Sequence, residues 1–260
     1  MDSQSVPLPE GPNGSLARGL RTLAAMADVD GAFSVSVLAG KLGFTRAMVR
    51  RFVVTLEHAG YVEAAGGMYR LTPEVLELGE AYLSSSVLDA ASRAPLAWLS
   101  SQVDESTSLG VLHRGMVTLV ASVEAGQLPS DHGVFIGARL PAHRSANGLV
   151  LLAGLDEESL ADYCASLQDL AGTQGVADAV AATRKRGWAS WGRQPPDGAA
   201  IAVPVRGQDR VVAAACLYSG SAYESLDELR NRALDPLFEA AARIESGLAA
   251  PARGRGGAHR

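Results

Sequence analysis

The chain has 260 residues, of which 47% are hydrophobic and 20% are charged, and its formal net charge is −5. This composition is typical of a globular protein with one large domain or two small ones, and the acidic balance excludes a basic protein that coats nucleic acid. There is no apolar run of roughly 18 residues, no secretory signal and no cysteine beyond Cys164 and Cys216, so we expect a soluble cytoplasmic protein without a membrane partner, a disulfide framework or a cysteine-based zinc finger.

The charge is distributed unevenly along the chain. Residues 15–72 contain seven basic and four acidic side chains, a net charge of +3, whereas residues 73–250 contain 13 basic and 22 acidic ones, a net charge of −9. A small basic module joined to a larger acidic body indicates that the first part meets an anionic partner.

Residues 1–14 contain three prolines and two glycines, and we expect a disordered leader there. The apolar spacing after Ser15 predicts a helix, a second short helix is predicted over 36–42, and Thr45 is a suitable N-cap for a third. A hairpin over 61–71 follows. This order is that of a winged helix-turn-helix, which we assign to residues 15–72.

The third helix of this module has a basic outer face. Arg46 and Arg50 lie one turn apart and away from the apolar face, where arginine can pair with guanine or contact phosphate. The candidate DNA contacts are Thr45, Arg46, Ala47, Arg50, Arg51 and Arg70. The alternatives are a solvated basic helix in a protein-binding module and, for Arg51 beside the apolar face, an internal ion pair.

Pro73 opens a helix over 73–88 that should link the two domains. Mixed strands and helices over 89–248 predict an α/β domain, and residues 249–260 should form a disordered tail. The predicted strands are 108–112, 116–123, 201–205 and 211–218. The predicted helices are 147–153, 156–168, 176–185 and 226–248.

A second candidate site lies within residues 133–155, where a strand-like run and a proline-containing turn precede a helix that starts near Ala146 and Asn147. Free N–H groups at a helix start suit a carboxylate, and Arg139, His143 or Arg144 would add charge. The alternative is a capped helix with three surface side chains.

Enzymatic interpretations find little support. The chain has no phosphate-binding loop, nucleophile elbow, dinucleotide-binding fingerprint or zinc-protease motif, and its five histidines lack metal-ligand spacing. Cys216 lies in an apolar run typical of a buried small residue rather than a nucleophile. We therefore expect no enzyme, no cofactor and no metal; an enzyme fused to a DNA-binding module remains the alternative of a different class.

Several segments in this order resemble the IclR family of bacterial transcriptional regulators. The DNA-binding match comprises GFTRAMVRRFVVTLEHAGYV (43–62) and YRLTPEVLELGEAYLSS (69–85). The match to the effector domain comprises ESTSLGVLHRG (105–115), IGARLPAHRSANGLVLLAGL (136–155), RGWAS (186–190) and IAVPV (201–205). The first pair is most similar to the branch that controls protocatechuate, 4-hydroxybenzoate and β-ketoadipate catabolism.

The resemblance implies an α+β fold with an N-terminal winged helix-turn-helix, a linker helix and a C-terminal α/β effector domain of GAF-like build. It also implies homodimers or dimers of dimers on pseudo-palindromic operator DNA, controlled by a small organic acid, aromatic or keto. The family's effector positions fall at Ala146 and Asn147, near Trp191 and Ile201, and at Leu217 or Ser219, with Cys216 as a further alternative because the inward face of its strand is open.

The sequence departs from the family pattern at three places. Residues 191–196 replace an acidic stretch, Ser122 stands where the aromatic-acid branch often has arginine, and Leu149 replaces a lysine or arginine. These changes point to a different ligand, larger and less charged. The alternative function is an orphan DNA-binding regulator with a degenerate or unrelated pocket.

Overall fold

The computed structural model describes residues 14–27, 29, 31–125, 135–167, 170–192, 198–220 and 225–249. The predicted disordered leader and tail lie outside these ranges, except that Gly14 begins the first helix and Ala249 ends the last one. The chain divides into two compact units, Met1–Tyr82 and Leu83–Arg260.

The first unit has three helices, a two-stranded hairpin and the start of a fourth helix. The elements are α1 (Gly14–Ala27), α2 (Val35–Leu42), α3 (Arg46–His58), β1 (Val62–Ala65), β2 (Met68–Leu71) and α4 (Glu74–Ser85). Ser34 and Thr45 cap α2 and α3 with their side-chain oxygens, and Gly43 ends α2 at a φ of 65°, a left-handed conformation that glycine adopts without a steric penalty.

The helices and the hairpin share one apolar core. Phe33, Leu38, Val49 and Val53 are each at most 1% exposed within it. Phe33 and Tyr69 exchange two backbone hydrogen bonds of 2.8 Å, which attach the segment before α2 to the hairpin. The predicted winged helix-turn-helix fold is confirmed.

The predicted linker helix over 73–88 is divided in the structure. The helix α4 ends at Ser85, Ser86 is extended (φ −83°, ψ 115°), and a new helix, α5, runs over Val87–Val103. Serine side chains compete with the backbone for hydrogen bonds, so the run of serines at 84–86 favours such a break.

The second unit is a six-stranded antiparallel sheet between two layers of helices. After α5 come β3 (Ser106–His113), β4 (Met116–Val123), β5 (Arg139–Pro141), α6 (Ala146–Ala153), α7 (Glu157–Ala165), α8 (Leu170–Arg186), β6 (Ala189–Gly192), β7 (Ala199–Gly207), β8 (Arg210–Ser219) and α9 (Leu226–Ala249). The strand order is β5-β4-β3-β8-β7-β6. This arrangement confirms the predicted C-terminal α/β domain.

Each face of the sheet has its own apolar core. Leu96 of α5 and Leu237 of α9 pack with Leu109, Ile201 and Leu217 on one face. On the other face, the residues of α6, α7 and α8 pack with side chains such as Val117, Ala202, Ala214 and Cys216. Because successive side chains of a strand point to opposite faces, sequence neighbours such as Cys216 and Leu217 belong to different cores.

The sequence patterns missed α5 and β6, and they located β5 only as part of a strand-like run within residues 133–155. The helix α5 contains Pro95 and several serines, which weaken the helical signal, and β5 and β6 are edge strands of three and four residues. No helix among the described residues is both long and apolar enough to cross a membrane.

Candidate functional site

The helix α3 presents one charged face to solvent. Arg46, Ala47, Arg50 and Arg51 are exposed, whereas Val49 faces the core with no exposed surface. Within the described part of the chain none of these three arginines forms an ion pair with a carboxylate. The internal ion pair considered for Arg51 is therefore absent from the described residues. This face offers a polyanion three guanidinium groups that have no carboxylate partner among the described residues.

Thr45 has the position predicted for it at the start of α3. Its Oγ1 accepts a hydrogen bond of 3.2 Å from the backbone N–H of Met48. The hydroxyl proton is not used in that bond, so it remains able to donate to a phosphate oxygen. The cap and the phosphate contact are chemically compatible.

The hairpin gives Arg70 an intramolecular partner. Arg70 on β2 pairs in register with Glu63 on β1, and its Nε donates to Glu63 Oε1 at 2.5 Å. Both side chains are about half exposed. An exposed ion pair contributes about 0–1 kcal/mol, so a phosphate can compete for Arg70 at a small cost.

The first turn of α6 forms the centre of the second candidate site. Ser145 Oγ accepts from the N–H of Gly148 at 3.1 Å, and Ser145 O accepts from the N–H of Leu149 at 3.0 Å. The N–H groups of Ala146 and Asn147 come before any intrahelical partner, as in every α-helix. Both residues are at least 97% buried. The helix start is capped by Ser145, as the alternative interpretation expected, but the two donors lie in the interior rather than at the surface.

The predicted effector residues fall on two faces of the sheet. Cys216 packs in the same core as Ala146, and Trp191 shares the orientation of Ala189, two residues earlier on β6, which also lies in that core. Ile201 and Leu217 pack in the opposite core.

Ser219 also faces the side of the sheet that carries the opposite core. It pairs with Ala199, which packs there. We therefore correct the predicted set: the structure does not bring Ile201, Leu217 and Ser219 together with Asn147, because strand alternation turns them away from α6.

A row of small side chains crosses the sheet beside α6. In register across four neighbouring strands it consists of Ser122 on β4, Ser108 on β3, Cys216 on β8 and Ala202 on β7. None of the four is charged. Burial raises the pKa of the Cys216 thiol to about 12, so the thiol is neutral near pH 7 and is a poor nucleophile.

Two of the three charged candidates before α6 lie at the surface, and the third, His143, contacts Tyr163. Arg139 and Arg144 are exposed. His143 lies in a 3-10 turn over Ala142–Arg144, where the hydroxyl of Tyr163 on α7 accepts from its backbone N–H at 3.1 Å and lies 2.8 Å from its Nδ1. Burial, and then the positive charge of Arg144, lower the pKa of His143. The neutral imidazole is therefore favoured, and its Nδ1 can accept a hydrogen bond from the Tyr163 hydroxyl.

Two elements of this site escaped the sequence interpretation: Tyr163, and Gly110 on β3. A Cβ atom at Gly110 would lie 2.6 Å from Val117 Cγ1, so the packing of Val117 admits no side chain there, and the same Cβ atom would be in ordinary contact with Asn147 Cγ at 3.4 Å. Only the tertiary structure reveals the importance of Gly110, because its close neighbours come from β4 and α6. Among the described residues no cluster of three or more histidine, cysteine or acidic side chains has a metal-binding arrangement.

Comparisons with known proteins identify both units of the chain. Residues 15–66 match the family model described as the IclR helix-turn-helix domain, and residues 80–246 match the one described as the bacterial transcriptional regulator IclR C-terminal domain. The Pca operon regulatory protein of Acinetobacter baylyi is 30% identical over 240 residues, which cover 88% of this chain and 86% of that protein.

Solved structures share the fold. A transcriptional regulator from Rhodococcus sp. RHA1 has a TM-score of 0.73 and 33% identity, covering 90% of this chain and 98% of its own. An IclR homologue from Microbacterium hydrocarbonoxydans complexed with 4-hydroxybenzoate has a TM-score of 0.72 with the same coverage, but only 22% identity, and so supports the fold alone.

Proposed function

Because this chain belongs to the IclR family of transcriptional regulators, we propose that it binds a pseudo-palindromic operator through α3 and the hairpin, under the control of a small organic acid bound beside α6. The chain is a DNA-binding transcriptional regulator with a ligand-binding C-terminal domain, and the expectation that it is not an enzyme is confirmed by its relatives. The observation that carries the proposal is the exposed arginine face of α3, whose guanidinium groups form no ion pair within the described part of the chain.

On the DNA side, α3 enters the major groove with its first turns. Arg46 and Arg50 contact base edges or phosphates, and Arg51 adds a phosphate contact farther round the helix. The Thr45 hydroxyl donates a hydrogen bond to a DNA phosphate at the start of α3, where the small side chain of Ala47 allows the DNA to approach closely. Arg70 contacts a phosphate of the DNA backbone after its ion pair with Glu63 breaks.

On the ligand side, the acid group accepts hydrogen bonds from the N–H groups of Ala146 and Asn147. The helix dipole favours negative charge at that end, and the surrounding burial strengthens the interaction. Cys216 lines the floor, and the Trp191 ring stands at the edge on β6. The similarity to the Pca operon regulatory protein, and the resemblance of residues 43–62 and 69–85 to the branch that controls protocatechuate and 4-hydroxybenzoate catabolism, support an aromatic acid as the class to test first.

The operator and the protein share two-fold symmetry in this proposal, so the chain acts as a homodimer or a dimer of dimers in the cytoplasm. The first unit exposes large apolar side chains that a second copy would cover. On α1 they are Leu16 and Leu20, and on α4 they are Leu76 and Leu78, each more than half exposed. Surfaces of this kind are typical of protein–protein contacts.

The acid changes operator binding only as far as it binds the two arrangements of the dimer with different affinities. Such coupling is typically about 1–3 kcal/mol, which corresponds to about a fivefold to 150-fold change in operator Kd.

The test is binding of the full-length protein to the DNA upstream of its own gene, at fixed salt, with and without a set of aromatic and keto acids. Binding that one acid weakens or strengthens supports both halves of the proposal. The absence of specific operator binding would contradict its DNA half.

The second candidate is an orphan regulator whose pocket has lost its acid ligand. It is favoured by Leu149, which is 4% exposed and apolar where the family pattern has a lysine or arginine, so that α6 lacks that cation. Specific operator binding that no acid alters, together with an unchanged melting temperature in every acid, would favour this candidate.

A further inference from the structure

A half-open cavity lies at the C-terminal end of α6, away from the helix start at which the acid is proposed to bind. Its volume is about 150 Å³, and an apolar cavity of about that size can hold a benzene ring. We call it the α6–α8 cavity, because residues of these two helices line it together with residues of β7 and β8. An α-helix rises about 1.5 Å per residue, so the eight residues of α6 separate the cavity from the helix start by about 12 Å.

Closely packed backbone fixes the shape of this cavity. A Cβ atom at Gly154 would lie 2.5 Å from Val211 Cβ, so the end of α6 rests directly on β8. Val150 and Pro204 are buried, and they form an apolar wall of the cavity together with the half-buried Ala153 and Val211. The cavity therefore lies between well-packed elements.

One arginine of the lining is held in place by intramolecular contacts. The Arg184 side chain extends from α8 to the end of α6, where its Nε donates to Ala153 O at 3.0 Å and its Nη2 donates to Leu155 O at 2.7 Å. Its Nη1 pairs with Glu157. The two carbonyl contacts offset the partial negative charge at the end of α6, and two of the five guanidinium N–H groups remain available.

The second arginine of the lining has no such partners. Arg206 is exposed at the end of β7, and its side chain forms neither a hydrogen bond nor an ion pair with any described residue. Its backbone N–H donates to Glu245 Oε1 at 2.7 Å, which anchors the residue and leaves the guanidinium group for another partner.

Positive charge is concentrated around the α6–α8 cavity. Residues 73–250 have a net charge of −9, yet the segments 184–186 and 206–210 contain five of their 13 basic residues and one acidic residue, Asp209. Lys185 and Arg210 are exposed in these segments. A local excess of positive charge in an acidic domain attracts an anionic ligand.

The donors and the apolar wall favour a phosphate group on a short carbon skeleton. A phosphate ester carries a charge of about −1.5 to −2 at pH 7, and its three terminal oxygens accept hydrogen bonds from guanidinium groups. A carboxylate has one charge and two oxygens, so it would use fewer of the N–H groups that Arg184 and Arg206 offer. The apolar wall suits the few carbon atoms that such a ligand carries.

We propose that the α6–α8 cavity binds a small phosphorylated anion, with the phosphate between Arg184 and Arg206 and the carbon atoms against the apolar wall. The site is separate from the acid site of the proposed function, and the inference does not depend on that function. A ligand bound there stabilises the folded chain by mass action, so calorimetry and thermal unfolding both detect it.

The test is titration of the full-length protein with glycerol 3-phosphate, followed by calorimetry and by the melting temperature. Sodium chloride keeps the ionic strength constant, because salt screens interactions between exposed charges. We expect saturable binding of glycerol 3-phosphate with a Kd of about 1 mM or lower, and no binding of glycerol, which lacks the phosphate.

Two variants assign the binding to the cavity. Arg206→Gln removes a cation of the lining, and we expect it to weaken binding of glycerol 3-phosphate at least about tenfold. Ala153→Leu fills the cavity without a change of charge and should weaken binding by a similar factor. Arg50→Gln, the same change as Arg206→Gln but on the exposed face of α3, is the matched control and retains the wild-type affinity.

Several outcomes would overturn the inference. They are the absence of binding to the wild type at about 10 mM glycerol 3-phosphate, and wild-type affinity in Arg206→Gln. Loss of binding in Arg206→Gln but not in Ala153→Leu would assign the anion to surface charge rather than to the cavity, and loss in Arg50→Gln would assign it to α3.

None of these outcomes affects the proposed function, which is tested by operator binding and its response to acids. Should Ala153→Leu not fold, the comparison of Arg206→Gln with Arg50→Gln decides.

Discussion

The helices α3 and α6 both begin at a hydroxyl N-cap, Thr45 and Ser145, yet we propose that they bind different anions. The first turn of α3 is exposed and carries Arg46 and Arg50, whereas the first turn of α6 is buried and uncharged. A DNA backbone is large and stays hydrated, so exposed basic side chains contact its phosphates. A small acid can be enclosed, where backbone N–H groups suffice because water is excluded.

The largest expected effect tests whether the burial of α6 is essential. Gly148→Ala places a Cβ atom against the backbone of Ala142, and we expect a loss of about 3 kcal/mol in the free energy of unfolding, measured by urea denaturation. Gly175→Ala is the matched control: it lies in α8 with open space around it and should be neutral or stabilising by up to about 1 kcal/mol. Equal stability of the two variants would mean that α6 is not tightly seated.

The next effect concerns the exposed helix. Arg50→Ala should raise the operator Kd about tenfold to 100-fold at fixed salt, measured by fluorescence anisotropy, because one arginine contact contributes about 1–3 kcal/mol. Its stability should stay within about 0.5 kcal/mol of the wild type, since the side chain is exposed. Arg230→Ala, an arginine on α9, should leave operator binding unchanged, and an unchanged Kd for Arg50→Ala would remove Arg50 from the DNA contact.

A smaller effect tests the contact between Tyr163 and His143, which precedes α6. Tyr163→Phe removes the hydroxyl that contacts the backbone N–H and Nδ1 of His143, and we expect a loss of about 1–2 kcal/mol in thermal or urea unfolding together with weaker acid binding. Tyr61→Phe in the first unit is the comparison, since no side-chain hydrogen bond of Tyr61 occurs within the described residues. An acid affinity in Tyr163→Phe equal to that of the wild type would show that the contact between Tyr163 and His143 does not position α6.

The smallest effect concerns the hairpin. Glu63→Gln releases Arg70 from its ion pair and removes a negative charge near the DNA, so we expect operator binding about two- to fivefold tighter at low salt. The slope of log Kd against log salt should steepen by about 0.9, as for one added phosphate contact. Glu158→Gln, the same change of charge on α7, should alter neither quantity, and weaker operator binding by Glu63→Gln would exclude Arg70 as a phosphate contact.

Local signals were enough to predict the winged helix-turn-helix and the arginine face. The N-cap Thr45, the stop at Gly43 and the apolar spacing of α3 act within a few residues, so the helix and its exposed face can be derived from neighbours in the chain. The sheet domain was predicted less completely: α5 with its internal Pro95 and the short edge strands β5 and β6 depend on packing against distant residues.

The sequence by itself therefore determined the fold class, the family and the exposed arginine face of α3, because charge and helical periodicity are local properties. Only the tertiary structure decided which of the candidate effector residues lie on the same face of the sheet. Strand alternation separates Cys216 from Leu217 and Ser219, and register brings Gly110 beneath Asn147. The α6–α8 cavity is formed by residues of four elements, so no reading of adjacent residues could have revealed it.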